Sequence, residues 1–306
     1  MRCLVTGASG HLGSHLTKRL LQEGWNVAAL VRPESDLWRL KDLLELITVI
    51  RSDLSHVSEA AQAITQAQPE AVFHLAWQGV TSAFKNEPGQ LVDNVAGSLK
   101  LLEIARDAGA KLWVGIGSQA EYGPHPGVLS EDTPANPETA YGAAKLRVGL
   151  QTKELCELSG IRHVWLRLLA TYGPMDDERH LIPTVIRQLL KGERPRLTRG
   201  EQLWDYLYIE DAADAIYRAA VSKDARGVFN LGSGKSHSVR SILERIRDLI
   251  DPSLSLGFGE APYPPDQTMR LETNIDRLRQ ATGWSPKVDL DVGLARTVDW
   301  YKTRRY

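Results

Sequence analysis

Cysteine is scarce in this 306-residue chain: Cys3 and Cys156 are the whole supply. One falls in the first predicted strand and the other in a predicted helix. A disulfide framework is therefore not expected, and a reducing cytoplasm fits. An excess of one charge sign is missing too. Thirty-seven Lys and Arg face 38 Asp and Glu, for a formal net charge of −1. That leaves no electrostatic basis for nucleic acid or an anionic membrane as partner. No apolar run approaches the roughly 20 residues that a bilayer span needs. The first strand begins so near the N-terminus that no signal peptide is expected. His74, His125, His163 and His180 are scattered, without ligand spacing or cysteine companions, so no metal is expected. Repeats and low-complexity segments are absent.

What is present is ordinary for a globular protein: 42% hydrophobic and 25% charged residues. The length suits one large or two small domains. The first half alternates strand and helix. Cys3-Leu4-Val5, Val27 to Val31, Ile47 to Ile50, Ala71 to Leu75, Leu112 to Ile116 and Val164 to Leu168 are apolar strand candidates. Leu12, Leu16, Leu20 and Leu21 have helical spacing, and the longest helix is predicted from about Leu91 to Ala108. Such runs suit parallel strands buried on both faces. The predicted fold is α/β, a Rossmann-type doubly wound parallel sheet. After Gly173-Pro174 proline becomes frequent and the alternation stops. Trp204 to Ile209 and Gly227 to Leu231 still look like sheet and are expected to return to the main domain. Residues 1–173 plus about 204–232 would form the dinucleotide domain. Residues 174–203 plus 233–306 would form a smaller C-terminal substrate lobe over the strand ends.

Two motifs carry the chemistry. Gly7, Gly10 and Gly13 form G-x-x-G-x-x-G between a strand and a helix, the context a dinucleotide cradle requires. The first glycine permits the turn, the second lets backbone approach a pyrophosphate, and the third lets helix and strand pack. The free N–H groups of the helix N-terminus then face the phosphates. The second strand should end at the adenosine ribose, about 20 residues further on. Arg32 stands there. It is a partner for the 2′-phosphate of NADP or a solvated loop residue. Ser9 can add a hydrogen bond, while Glu34 and Asp36 argue mildly for NAD. NADP(H) is favoured, with NAD(H) possible. Asp53, before Leu54, could accept from the adenine amino group or simply cap a helix.

The second motif is Tyr141 and Lys145, four residues apart and so on one helix face. A tyrosine holds its proton to about pH 10. It becomes an acid or base near neutrality when a cation favours the phenolate. Ser118, at the end of a predicted strand, can orient the same substrate oxygen. Cradle and pair together predict hydride chemistry on a nicotinamide cofactor.

The ordered motifs resemble the extended short-chain dehydrogenase/reductase family, in its NAD(P)-dependent nucleotide-sugar epimerase, dehydratase and reductase branch. The likeness covers nearly the whole chain. It includes Thr6 to Gly13, His74-Leu75-Ala76, Asn94, Ser118 to Gly123, Tyr141 to Lys145 and Arg167 to Pro174. It continues through Trp204 to Asp211, Val228 to Gly234 and Thr282 to Pro286. The resemblance implies Ser118, Tyr141 and Lys145 as catalytic residues. It implies cofactor contacts from Gly7, Ser9, Gly10, His11, Leu12, Gly13, Arg32, Asp53, Leu54, Leu75, Ala76 and Lys145. Substrate contacts would come from Ser118, Gln119, Tyr141, His180, Leu181, Gln202 and Arg270, the last on the diphosphate. Asn94 would support the site or serve structure alone. A nucleotide-diphosphate sugar is the implied partner, and a homodimer the implied assembly.

Some residues depart from that pattern. Family dehydratases carry Asp-Glu just after the catalytic hydroxyl, to eliminate water. Here Gln119-Ala120 stand there, and strand-like alternation would aim Glu121 elsewhere. Trp204 replaces an arginine common before this Asp-aromatic stretch, and Arg199 could substitute for it. Ala170 replaces a bulkier or polar residue. The favoured reading is an NADPH-dependent reductase of an NDP-4-keto-6-deoxyhexose, with the proton from Tyr141. The alternative is an NAD-dependent NDP-hexose 4-epimerase. A dehydratase or a non-catalytic NADP-binding protein is less favoured.

Overall fold

The structure is a computed structural model that describes residues 1–80 and 84–303. The chain begins with β1 (Arg2–Thr6), α1 (His11–Gln22), β2 (Asn26–Val31), β3 (Ile47–Arg51), α2 (Ala61–Ala67) and β4 (Ala71–His74). Next come α3 (Gly89–Asp107), β5 (Leu112–Ser118), α4 (Ala140–Leu158) and β6 (Arg162–Leu168). Beyond β6 the elements shorten: β7 (Ala170–Tyr172), α5 (Leu181–Leu190), β8 (Arg196–Leu197), β9 (Leu203–Tyr208), α6 (Ile209–Val221) and β10 (Gly227–Leu231). The last are β11 (Ser236–Ser238), α7 (Val239–Ile250), β12 (Gly257–Phe258), β13 (Arg270–Leu271), α8 (Asp276–Thr282) and α9 (Leu290–Lys302).

The main sheet runs β3-β2-β1-β4-β5-β6-β10, parallel throughout. Its strands are apolar on both faces because both are covered. On one face Val5, Ala29, Phe73, Val114 and Leu166 join a core with α1 and α6. On the other, Leu4, Ala28, Val72 and Trp113 meet Ile64, Leu101 and Ala105 from α2 and α3. The strand order reverses between β1 and β4. Ligands of such sheets bind there, beyond the carboxyl ends.

The two late strands part company. Gly227–Leu231 returns to the main sheet, at its edge beside β6. The 203–208 strand does not. It lies in a second sheet, paired with β11, β13 and β7. The reason is in its alternation. Leu207 points to the main core, but Trp204, Tyr206 and Tyr208 point to a separate core formed by α5, α7 and α9. A strand with one aromatic face needs a second layer, which the doubly covered main sheet cannot offer.

Candidate active site

The cradle opens at the switch point. Gly7 has φ +68°. A Cβ there would meet the Ala76 amide nitrogen at 2.9 Å, and one on Gly13 would meet the Gly7 carbonyl at 2.1 Å. These glycines press the loop against β4 and α1. Thr6 holds the same junction: its hydroxyl accepts the N–H of Leu75 and of Ala76 at 3.1 and 3.0 Å. Gly10 is exposed, and among the described residues no side chain caps α1. The first N–H groups of the helix therefore face a cleft of about 490 Å³. Gly7, Ser9, Gly10, His11, Arg32, Asp53, Leu54, Leu75 and Ala76 line it. The Leu12 side chain turns to the main core instead, and Gly13 serves packing. An extended, phosphate-bearing dinucleotide fits this donor set and shape.

Details differ from the sequence reading. Asp53 lines the cleft, and its carboxylate accepts the His56 N–H at 2.9 Å within a turn. The 3₁₀ helix that follows, Val57–Ala60, starts at His56 without a side-chain cap among the described residues. Arg32 is exposed and paired with Glu34 at 3.3 Å. Asp176, unremarked in the sequence, joins His11 at 3.1 Å to His180 at 2.9 Å. Burial alone would raise its carboxyl, but the hydrogen bonds from His11 and His180 hold it well below the usual range. His180 thus lines the cofactor cleft, where the resemblance gives it a substrate contact.

Ser118, Tyr141 and Lys145 come together between the ends of β5 and α4. Thr139 caps α4 by accepting the Gly142 N–H at 3.0 Å, which starts the helix just before Tyr141. Burial pushes the Tyr141 phenol up to about 12, against a hydrogen bond from Ser118. Burial also brings Lys145 down to about 7, against the Glu121 carboxylate. The ammonium donates to the Ile116 carbonyl at 2.7 Å and stands 6.0 Å from the Tyr141 ring centroid. A phenol, a serine hydroxyl and a titratable cation thus share one spot beside the cleft, groups able to exchange a proton with a bound ligand.

Glu121 is the clearest surprise. Residues Gln119–Glu121 form a 3₁₀ turn, not a strand continuation. The turn drives Glu121 inward, fully buried beneath the serine. Its carboxylate accepts the Ser118 N–H at 2.8 Å, the Trp165 indole N–H at 3.0 Å and Arg167 Nε at 2.7 Å. Asn94 ties the 75–80 segment to α3: its amide accepts the Gln78 N–H at 2.8 Å and donates to the Gln78 carbonyl at 3.2 Å.

A second pocket of about 360 Å³ opens in the smaller lobe, lined by Leu181, Arg196, Gln202, Trp204, Tyr206 and Phe258 among others. Gln202 is buried, and its side-chain oxygen has no hydrogen-bond partner among the described residues. The Trp204 indole N–H donates to the Thr268 carbonyl at 2.8 Å, so its ring is a fixed wall. Arg196, not Arg199, is the cation lining this pocket. Arg270 lies outside that lining, ion-paired to Glu272.

The model of the NAD dependent epimerase/dehydratase family matches residues 3–232. The chain belongs to this family. A UDP-glucose 4-epimerase from Mycolicibacterium smegmatis is 29% identical over 99% of both chains. The solved UDP-glucose 4-epimerase of Thermotoga maritima, with UDP-glucose, superposes at a TM-score of 0.91. It is 25% identical and covers 99% of each chain. The UDP-glucose 4-epimerase of Thermus thermophilus, in complex with NAD, gives 0.88 at 28% identity, again over 99% of both. The epimerase/dehydratase membership extends across the cradle, the Ser-Tyr-Lys grouping and the return of β10 to the main sheet. These relatives agree with the epimerase alternative better than with the ketoreductase reading.

Proposed function

We propose that the protein is a nucleotide-sugar 4-epimerase acting on a UDP-hexose. The observation that carries this reading is the grouping of Ser118, Tyr141 and Lys145 at the junction of a dinucleotide-shaped cleft with the 75–80 segment. The UDP-glucose epimerases among its relatives favour uridine as the nucleoside. Bound in the cleft, a nicotinamide dinucleotide would supply a reversible hydride acceptor for C4. The residues named along the cleft would hold it, with pyrophosphate at the N-terminus of α1. NAD is the better fit, because Glu34 engages Arg32.

Ser118 and Tyr141 would both bind the C4 oxygen. Tyr141 would take the hydroxyl proton as the carbon is oxidised and return it on reduction. Its phenol is held high by burial, so it needs the Lys145 ammonium to work near neutrality. The dehydratase reading lacks chemistry: Gln119 and Ala120 carry no acid or base, and the Glu121 carboxylate is spent on Arg167 and Trp165. Arg32 at the ribose end is a feature that supports the ketoreductase.

The test is C4 inversion of UDP-glucose followed by proton NMR, with Tyr141→Phe as control. Equilibration toward UDP-galactose without net cofactor consumption, and a drop of about 10²–10⁴-fold in the variant, is expected. Stoichiometric NADPH oxidation by 4-keto-6-deoxy sugars, with no inversion of UDP-, dTDP- or CDP-hexoses, would replace the epimerase with the reductase.

A further inference from the structure

Neither motif in the sequence asks for an aromatic residue at position 77, yet the Trp77 indole lies between the cofactor cleft and the reacting pair. Three contacts define it. The Lys145 ammonium stands 3.8 Å from the ring centroid. The ring meets that of Tyr141 edge-on, at 5.9 Å and 82°. Its N–H donates to Gln90 at 2.7 Å. Gln90 is itself buried and donates to the carbonyls of Gly79 and Phe84 at 2.6 and 3.1 Å. Below, the indole packs on Val95, Ala144, Val148 and Trp165. It cannot swing away without breaking its hydrogen bond to the buried Gln90.

We propose that Trp77 is a positioning residue that keeps the Lys145 ammonium charged and aimed, by cation–π attraction, and through it sets the acidity of Tyr141. The inference rests on the roles proposed above for those two residues. A buried ammonium needs nearby negative potential to stay protonated. The ionisable groups facing Lys145 are Tyr141 from α4, Glu121 from the turn after β5 and His74 from β4. Glu121 raises Lys145 through its field alone, its close ion pair being with Arg167. His74 offers no negative charge: burial, then Lys145 itself, brings it down to about 3, so it stays neutral. The Ile116 carbonyl and the indole face are left as close support. An ammonium has three donors. With one on Ile116 and the indole face taking a second, the third is left for the cleft.

The experiment follows the Lys145 side chain by NMR titration in wild type, Trp77→Phe and Trp77→Leu, with Lys145→Arg for assignment. Trp77→Leu is expected to lower the Lys145 titration by about one pH unit, and Trp77→Phe to keep most of it. In parallel, the pH limb of kcat/KM that reports Tyr141 should move upward in Trp77→Leu and return in Trp77→Phe. Gln90→Leu, which unpins the ring but leaves it present, should give a smaller shift of the same sign. Should Trp77→Leu not fold, Gln90→Leu decides. An unmoved Lys145 titration in the folded variant overturns the inference. The titration needs no substrate. A shift without sugar turnover by wild type therefore fails the epimerase reading alone, and turnover with no shift fails this inference alone.

Discussion

Glu121 and Arg167 meet at 2.7 Å where solvent reaches almost none of either side chain, 1% and 8% exposed. Removing one partner of such a pair leaves the other charge buried and alone, at a cost of about 3–5 kcal/mol. Glu121→Ala should lose stability on that scale in urea unfolding. Glu121→Gln keeps an acceptor for the Ser118 N–H and should lose less. Glu121→Gln with Arg167→Met should recover part of the loss. A single Glu121→Ala variant as stable as wild type would mean that the pair is not buried as described.

Three histidines make stability depend on pH. Burial is the first cause in each case, bringing His15 and His163 down to about 4 and His74 to about 3, from 6.5. The unfolded chain takes up these protons near 6.5, the folded chain only below the lowered values. In between, the unfolded state binds more protons, so stability falls as pH falls, by about 1.4 kcal/mol per pH unit per proton. Asp205 opposes this. Burial raises it to about 6, so below that value the folded state holds a proton that the unfolded state has released. Asp211, His56 and His180 are raised as well and act in the same sense as Asp205, but the three buried rings are displaced further and set the sign. The urea midpoint should drop between pH 7 and pH 5, and His163→Asn should reduce the drop. An unchanged midpoint would contradict the neutral burial of these rings.

The proposed preference for NAD turns on Arg32 and Glu34. Paired with the acid, the guanidinium is a poor host for a 2′-phosphate. Wild type should bind NAD more tightly than NADP in a fluorescence titration. Glu34→Gln should narrow the difference by about tenfold, the worth of one charge-assisted hydrogen bond. Arg32→Ala should weaken NADP selectively. Tighter binding of NADP by wild type would revive the ketoreductase.

Much of this molecule is legible as sequence because its main sheet is buried on both faces. A strand such as β4 is then apolar over Ala71–Phe73, and it stands out from the helices on either side. The cradle is legible because its glycines answer local constraints of turn and close approach. The 203–208 strand misleads because a run of aromatics says sheet without saying which sheet. Only the partner helices α5, α7 and α9 decide that. Glu121 misleads for another reason: extending the strand periodicity past Ser118 is natural, but a 3₁₀ turn begins there. Trp77, Gln90 and Asp176 carry no local signal. Their contacts across the cleft, Trp77 with Lys145 and Asp176 with His11, join residues far apart in the chain, which residue spacing does not show. Arg270 is a motif match whose neighbour two residues on, Glu272, claims the guanidinium.

The placement of β9 has a consequence for how the molecule comes apart. The chain leaves the main sheet after β6, enters the second sheet at β7, and returns through α6, which packs on α1. It passes from β10 in the main sheet to β11 in the other, then back from β13 to α8, which packs against β10. The lobes are stitched together by successive threads, not joined by a hinge. A single protease cut should not release either half as a folded piece. Unfolding should proceed in one cooperative step, with the loss of one lobe taking the other with it.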